Sequence, residues 1–228
     1  MNTVPESVLA FLDRCGIPPL NQAALAPLID IRRRLEIANA EINLTRVVSA
    51  DNYWVKHIAD SLSIGLIFPE IWIGKLVLAD VGCGGGFPLL PLAWAAPHAR
   101  LTGIDTARKK IDFVNTCCDH LGWTHCRGVT LQAREAGRKA GLASAFDVVV
   151  SRAMSDCARV FKECRGLLKP TTGRLILYKT PDLIAKETAS ARREADKFGY
   201  MFSASESFHL PLNAGARQFA VFTPVVPG

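Results

Sequence analysis

The segment Leu76–Phe87 reads LVLADVGCGGGF: branched apolar residues, an acid, then four glycines, 82, 84, 85 and 86, within five positions. The first half reads as a buried strand. The second is a turn almost free of side chains, where backbone N–H groups can lie directly against a ligand. Pro88 follows at once, and proline fits the first turn of a helix because its missing N–H would have been unpaired there anyway. The pattern is strand, ligand-cradling turn, helix.

Further apolar runs follow at Leu101–Asp105, Gly128–Gln132, Phe146–Val150 and Gly173–Tyr178, separated by helical patterns. Continuous apolar runs alternating with helices mean strands covered on both faces, hence a parallel sheet. Pro88–Ala96 is the first crossover. Ala107, Ile111, Val114, Cys118 and Leu121 then recur at helical spacing, with Gly122 where a C-terminal cap belongs. Tyr200–Phe208 and Ala216–Thr223 alternate more and have no helix between them, so they are expected to pair antiparallel and close one sheet edge. Before Leu76, Val4–Cys15, Asn21–Ala40 and Asp51–Phe68 read as helices, the last with Trp54, Ile58 and Leu62 on one face. This divides the chain into a helical N-terminal extension, residues 1–70, and a sheet domain, residues 71–228.

Composition narrows the function classes. Hydrophobic residues are 49% and charged residues 21% of the 228, ordinary for a globular protein. The longest weakly polar run, Gly86–Ala96, falls well short of the ~20 residues of a spanning helix, so no membrane segment is expected. The N-terminus lacks the basic leader of a signal peptide, and the seven cysteines are an odd number without CxxC spacing. Reduced core thiols in the cytoplasm are therefore expected, with neither a disulfide framework nor a metal, and the glycosylation-like Asn43-Leu44-Thr45 has no meaning there. The net charge of +6 and pI near 9.0 suit an anionic partner, nucleic acid first. Arg32–Arg34, Arg108–Lys110, Arg138–Lys139 and Arg192–Arg193 form basic clusters on predicted helices. Arg108, Lys109 and Lys110, closest to the strand ends, are the first candidates for RNA phosphate.

Asp105 ends the second strand, nineteen positions after Gly86. In doubly wound sheets a carboxylate there faces the first turn and can accept both hydroxyls of a ribose, although an aspartate can also cap the next helix. A dinucleotide fingerprint requires GxGxxG, but here Gly82, Gly84 and Gly86 are followed by Phe87, and no GxxxxGK[ST] loop exists. S-adenosylmethionine fits better. It has ribose and adenine without phosphates, and its amino acid end needs close backbone and one acid, which Asp80 can supply.

ADVGCGGGFP, GID, FDVVVSRA and LLKP with GRLILYK together resemble a Rossmann-like class I S-adenosylmethionine-dependent methyltransferase. With NLT at 43–45 and HIADSL at 57–62 added, the chain resembles the bacterial 16S rRNA guanine-N7 methyltransferases of the small subunit, the glucose-inhibited division protein B family. The resemblance runs from about residue 40 to 180. It implies an α/β fold with a mostly parallel seven-stranded sheet, an antiparallel edge strand and flanking helices. It implies S-adenosyl-L-methionine as cofactor and 16S rRNA or the small ribosomal subunit particle as partner, for a cytoplasmic monomer. Gly82 and Phe87, with Gly84 and Gly86, would line the cofactor pocket, and Arg134 and Glu135 would sit by the adenine. Arg152, the catalytic candidate, would orient the base through O6 and N7 or fix the cofactor carboxylate. Lys179 would join the RNA-binding residues. The chain departs from the family at Arg134, where a small residue is more usual, and at Thr180, where a glycine is.

Guanine N7 carries a free lone pair and needs no general base. The residues after the fourth strand, Ser151-Arg152-Ala153-Met154, agree: they lack the Asn/Asp-Pro-Pro-aromatic motif used on exocyclic amines, and no Pro-Cys nucleophile is present. His57, Asp60 and Ser61 share a helix face and are read as an internal hydrogen-bonded cluster. Alternatives are a non-catalytic ribosome-assembly protein on this fold, a nicotinamide oxidoreductase, and a methyltransferase for another substrate.

Overall fold

Every apolar run after residue 76 becomes a strand in the computed structural model, which describes residues 4–18, 20–42, 44, 52–152 and 155–225. The strands are β1 Val77–Val81, β2 Arg100–Asp105, β3 Cys126–Thr130, β4 Val148–Arg152, β5 Arg174–Lys179, β6 Tyr200–Ala204, β7 Phe208–His209 and β8 Ala216–Pro224. The sheet order is β3-β2-β1-β4-β5-β8-β6, with the two-residue β7 pairing beside β8. β1 to β5 are mutually parallel, while β8 runs antiparallel between β5 and β6. The C-terminal pair thus closes that edge, with β6 outermost.

From β1 the chain winds outward through β2 to β3, then returns to place β4 on the other side of β1. This reversal opens a crevice at the carboxyl ends of the central strands, where open α/β sheets hold their ligands. The helices are α1 Glu6–Arg14, α2 Gln22–Ile42, α3 Leu89–Ala95, α4 Arg108–His120, α5 Ala133–Ala136, α6 Cys157–Cys164 and α7 Pro181–Asp196. One sheet face packs on α1 to α4 and the other on α5 to α7, giving two apolar cores. The seven cysteines are free and buried.

Two predicted strands end elsewhere. Gly128–Gln132 pairs as Cys126–Thr130 because Leu101 of β2 faces Cys126, and the ladder stops at Asp105 opposite Thr130. Phe146–Val150 is displaced to Val148–Arg152, since Phe146 makes only an isolated bridge to Leu168 while Arg152 still pairs Tyr178. In both cases the neighbouring strand sets the limits.

The predicted helix Asp51–Phe68 is not uniform. Tyr53–Ala59 forms a wide π-helical segment, Asp60–Leu62 a single α-turn, and Ser63–Leu66 a 3₁₀ turn. Tyr53, Trp54, Val55, His57, Ile58 and Ala59 are all buried and only Lys56 is exposed, so this segment is enclosed nearly all round rather than along one stripe. Tyr53 is also tied to α2, its hydroxyl donating to Leu28 O at 2.6 Å. π-helical turns concentrate at functional sites, and this one lies beside the end of β4.

Gly86 shows how tightly the first turn is specified. Its φ is +92°, and a Cβ there would meet Leu90 Cδ1 at 2.6 Å and Val114 Cγ2 at 3.3 Å. Gly86→Ala therefore combines a left-handed backbone with overpacking and is expected to cost about 2–4 kcal/mol. Denaturant unfolding measures it, and a loss below about 0.5 kcal/mol would contradict this account.

Candidate active site

The glycine turn is pinned to β2. Gly82 N donates to Ile104 O at 2.7 Å, and Gly84 N donates to Asp105 Oδ2 at 2.9 Å. The other oxygen, Oδ1, accepts Ala107 N at 2.9 Å. Asp105 therefore organises both the turn and the entry to α4, although Ala107, not Asp105, is the capping residue. A carboxylate oxygen accepts more than one hydrogen bond, so both oxygens retain capacity toward a ligand.

Beside Asp105 lies a cavity of about 520 Å³, bounded by Val81, Gly82, Ile104, Thr106, Leu131, Gln132, Ala133 and Arg134. Arg159 and Glu163 of α6 close its far side as an ion pair at 3.1 Å. Arg134 thus stands at the cavity. Glu135 does not line it: its carboxylate turns back to accept Gln132 N at 3.3 Å, completing a capping box for α5. That box was legible as Gln-x-x-Glu. Arg159 and Glu163 were also visible as an i,i+4 pair, but nothing local said that they face a cavity.

Toward β4 the site becomes charged and buried. Asp80 is 1% exposed. Its Oδ2 accepts Leu89 N at the start of α3, at 2.9 Å, whereas buried Oδ1 has no hydrogen-bond partner among the described residues. Burial pushes its carboxyl up to about 7 against the opposing pull of Arg152 and the Leu89 N–H. Phe87 stacks on His57, ring centroids 4.1 Å apart and planes 17° from parallel. Burial, then the Arg152 charge, pushes His57 down to about 3, so the imidazole is neutral near pH 7.

Arg152 Nη1 donates to Lys56 O at 2.6 Å and to Asp60 Oδ2 at 3.2 Å, and Nη2 lies 3.5 Å from His57 Nδ1. Arg217 of β8 grips the same carboxylate, Nε to Oδ1 at 3.0 Å and Nη2 to Oδ2 at 3.4 Å. His57 and Asp60 are thus joined in one internal network with two guanidiniums. Ser61 contributes its carbonyl to the Tyr178 hydroxyl at 2.7 Å, while its own Oγ is buried without a partner among the described residues. Arg217 escaped sequence reasoning because its partner is 157 positions away. Asn43, Thr45, Ala153 and Met154 lie outside the described residues.

Arg108 and Lys109 project from the first turn of α4, with Lys110 half-buried behind them. Cations there oppose the helix dipole, an arrangement an external anion would relieve. Arg108 has a loose internal contact with Asp112 at 3.8 Å. Lys179 corrects the expectation of an RNA contact. It is 8% exposed, and its ammonium donates to Ser155 O at 2.7 Å and Glu187 Oε2 at 3.0 Å. Those groups compensate a buried charge, so Lys179 holds the segment after β4 instead of meeting solvent.

A family model described as rRNA small subunit methyltransferase G matches residues 25–210. The chain belongs to this family. The ribosomal RNA small subunit methyltransferase G of Lactobacillus johnsonii is 31% identical over 76% of this chain and 72% of its own. The protein of the same name from a Geobacillus species is 31% identical over 90% and 84%, respectively. Among solved structures, the ribosomal protein L11 methylase of Lactobacillus delbrueckii subsp. bulgaricus superposes with a TM-score of 0.54 at 12% identity, covering 74% of this chain and 78% of that one. The [4+2]-cyclase SpnF gives 0.53 at 16%, covering 74% and 82%. A methylase and a cyclase on one architecture mark that likeness as one of fold alone.

The residues present fit S-adenosylmethionine. Asp105 offers carboxylate lone pairs beside the cavity, as ribose hydroxyls require. The orphaned Oδ1 of Asp80 is the buried acceptor that an ammonium would satisfy. Because Asp80 titrates near 7 in the free protein, a cationic amine must expel its proton to bind below that value. Cofactor affinity should be full above pH 7 and fall up to about tenfold per unit below it, and Asp80→Asn should flatten the profile. Calorimetry across about pH 5.5 to 8 tests this; a flat profile in the unsubstituted protein removes Asp80 from ammonium binding.

Proposed function

We propose that the chain transfers the methyl group of S-adenosylmethionine to N7 of a guanine in 16S rRNA of the small ribosomal subunit. The observation that carries the reading is the pairing of a tethered, carboxylate-faced glycine turn with a buried site that lacks a strong proton acceptor among the described residues. His57 is held near 3 and so accepts a proton poorly. Asp80 is committed to the Leu89 N–H on one oxygen and, on this reading, to the cofactor's ammonium on the other. An exocyclic amine must lose a proton as it is alkylated, whereas N7 has none to lose.

The bound cofactor supplies an electrophilic methyl on a sulfonium. The chain's own work is alignment, holding nucleophile, methyl carbon and sulfur in line so that binding has already removed their relative freedom. Arg152 places a cationic fork at the end of β4, and we assign it to guanine O6. A donor on N7 itself would occupy the lone pair that attacks. Asp60 and Lys56 O hold that fork, while Gly82, Gly84, Gly86, Phe87, Asp105 and Arg134 form the cofactor's surroundings. Arg108, Lys109 and Lys110 meet substrate phosphate. The described residues within 1–70 act as a helical extension covering one face of the methyltransferase domain, residues 71–228.

Among the described residues, no helix is long and apolar enough to cross a membrane, and no group of three or more His, Cys, Asp or Glu could hold a metal ion. The deciding experiment supplies methyl-labelled cofactor with small-subunit RNA or particles. Label in 7-methylguanine supports the reading. Label on adenine, cytosine or protein overturns the substrate, and cofactor binding without transfer to any of them favours a non-catalytic role.

A further inference from the structure

A second hollow, of about 360 Å³, adjoins the cofactor cavity and shares Arg134 and Glu163 with it. Four cations line it, Arg134 and Arg138 from α5 and the residues after it, and Lys162 and Arg165 at the end of α6. Its one lining carboxylate, Glu163, is already paired with Arg159 at 3.1 Å. Arg134, Arg138 and Lys162 have no ion pair among the described residues. Glu194 lies near enough to Lys162 and Arg165 to feel their charge, but its carboxylate is bonded to Lys197 at 2.9 Å. Arg165 is further fixed by stacking its guanidinium 3.8 Å from the centroid of the Phe198 ring.

The floor is backbone. Gly137 and Gly166 touch directly: a Cβ on Gly137 would lie 3.1 Å from the Gly166 carbonyl carbon, and one on Gly166 would lie 2.9 Å from Gly137 O. Ser144 N anchors the same spot by donating to Gly166 O at 2.9 Å. This contact brings two separate basic segments to one hollow and keeps them there. The dipole of α6 accounts for Lys162 in its last turn, but not for Arg134 or Arg138. Like charges gathered in a concavity raise the local potential and attract an anion.

All four cations are solvent-exposed, on long stems and spread over two segments. A small anion held specifically would need buried, converging donors. A polyanion that remains hydrated while releasing counterions suits exposed cations well. We infer that this hollow seats the phosphodiester backbone of the RNA substrate, away from the nucleotide that is methylated. The inference rests on the reading of the chain as an RNA methyltransferase.

The test is the double substitution Arg138→Glu with Lys162→Glu, which spares Arg134 and the cofactor cavity. KM for protein-free small-subunit RNA should rise at least about tenfold, and the slope of log affinity against log salt should shrink by about 1.5, with kcat and cofactor affinity unchanged. The neutral pair Arg138→Gln with Lys162→Gln should give the same change in slope and a smaller rise in KM. An unchanged KM and salt slope overturns the inference while leaving the activity standing. A rise in KM confined to assembled particles also overturns it, because the partner would then be a ribosomal protein. If the unsubstituted protein methylates no RNA, the functional reading fails first and takes this inference with it.

Discussion

Arg152→Ala is expected to lower the rate of methyl transfer by about 100- to 1,000-fold, the range seen when a preorganised donor is removed from a reacting centre. The fold should survive, because Asp60 keeps its contacts with Arg217. Arg152→Lys should not restore the rate. A lysine keeps the charge but lacks the planar fork that reaches Asp60, Lys56 O and a third acceptor together. Single-turnover rates with saturating cofactor measure the effect, beside calorimetry for cofactor affinity. A loss confined to the rate places the guanidinium on the base, whereas a loss mainly in cofactor affinity would move it to the cofactor's carboxylate. Full activity in the alanine variant would remove Arg152 from the mechanism altogether.

Asp105→Ala should weaken cofactor binding by about 100-fold or more. Hydrogen bonds to a charged group contribute about 1.5–3 kcal/mol each, and loss of two toward the ribose hydroxyls amounts to a few kcal/mol. The same substitution releases Gly84 N and Ala107 N, so the turn that cradles the ligand also loses its tether. Asp105→Asn separates the two effects. It can keep one carbonyl acceptor but loses the charge and half the accepting capacity, so an intermediate loss of about tenfold is expected. Calorimetry gives the affinities and thermal unfolding the stability. An unchanged affinity in the alanine variant would show that the cavity beside Asp105 does not hold the ribose.

The geometry of the candidate cofactor site was legible because its elements are close in sequence. The turn, Asp80 and Asp105 lie on adjoining strands joined by one helix, and the apolar run before Gly82 fixes where the strand ends. Arg134 was placed by likeness to a family rather than by spacing, and it does border the cavity. Glu135 was misplaced because its carboxylate had a nearer use, the backbone N–H of Gln132. Lys179 was misplaced for a related reason: a basic residue at the ligand-bearing end of β5 looks free until Glu187, a turn and a half into α7, comes back to meet it.

The sequence by itself determined the parallel sheet, the bare first turn and the acid at the end of β2, since each follows from side-chain periodicity or glycine placement within a few residues. Only the tertiary structure decided the strand limits, the π-helical course of Tyr53–Ala59 and the bonding of Arg152. The strand limits and the Tyr53 tether depend on partners about 25 positions away, and the bonding of Arg152 depends on groups that meet across 92 or more, Arg152 with Asp60 and Asp60 with Arg217. A charge buried at such a junction is tolerable only when the fold delivers its partner, and no local pattern encodes that delivery.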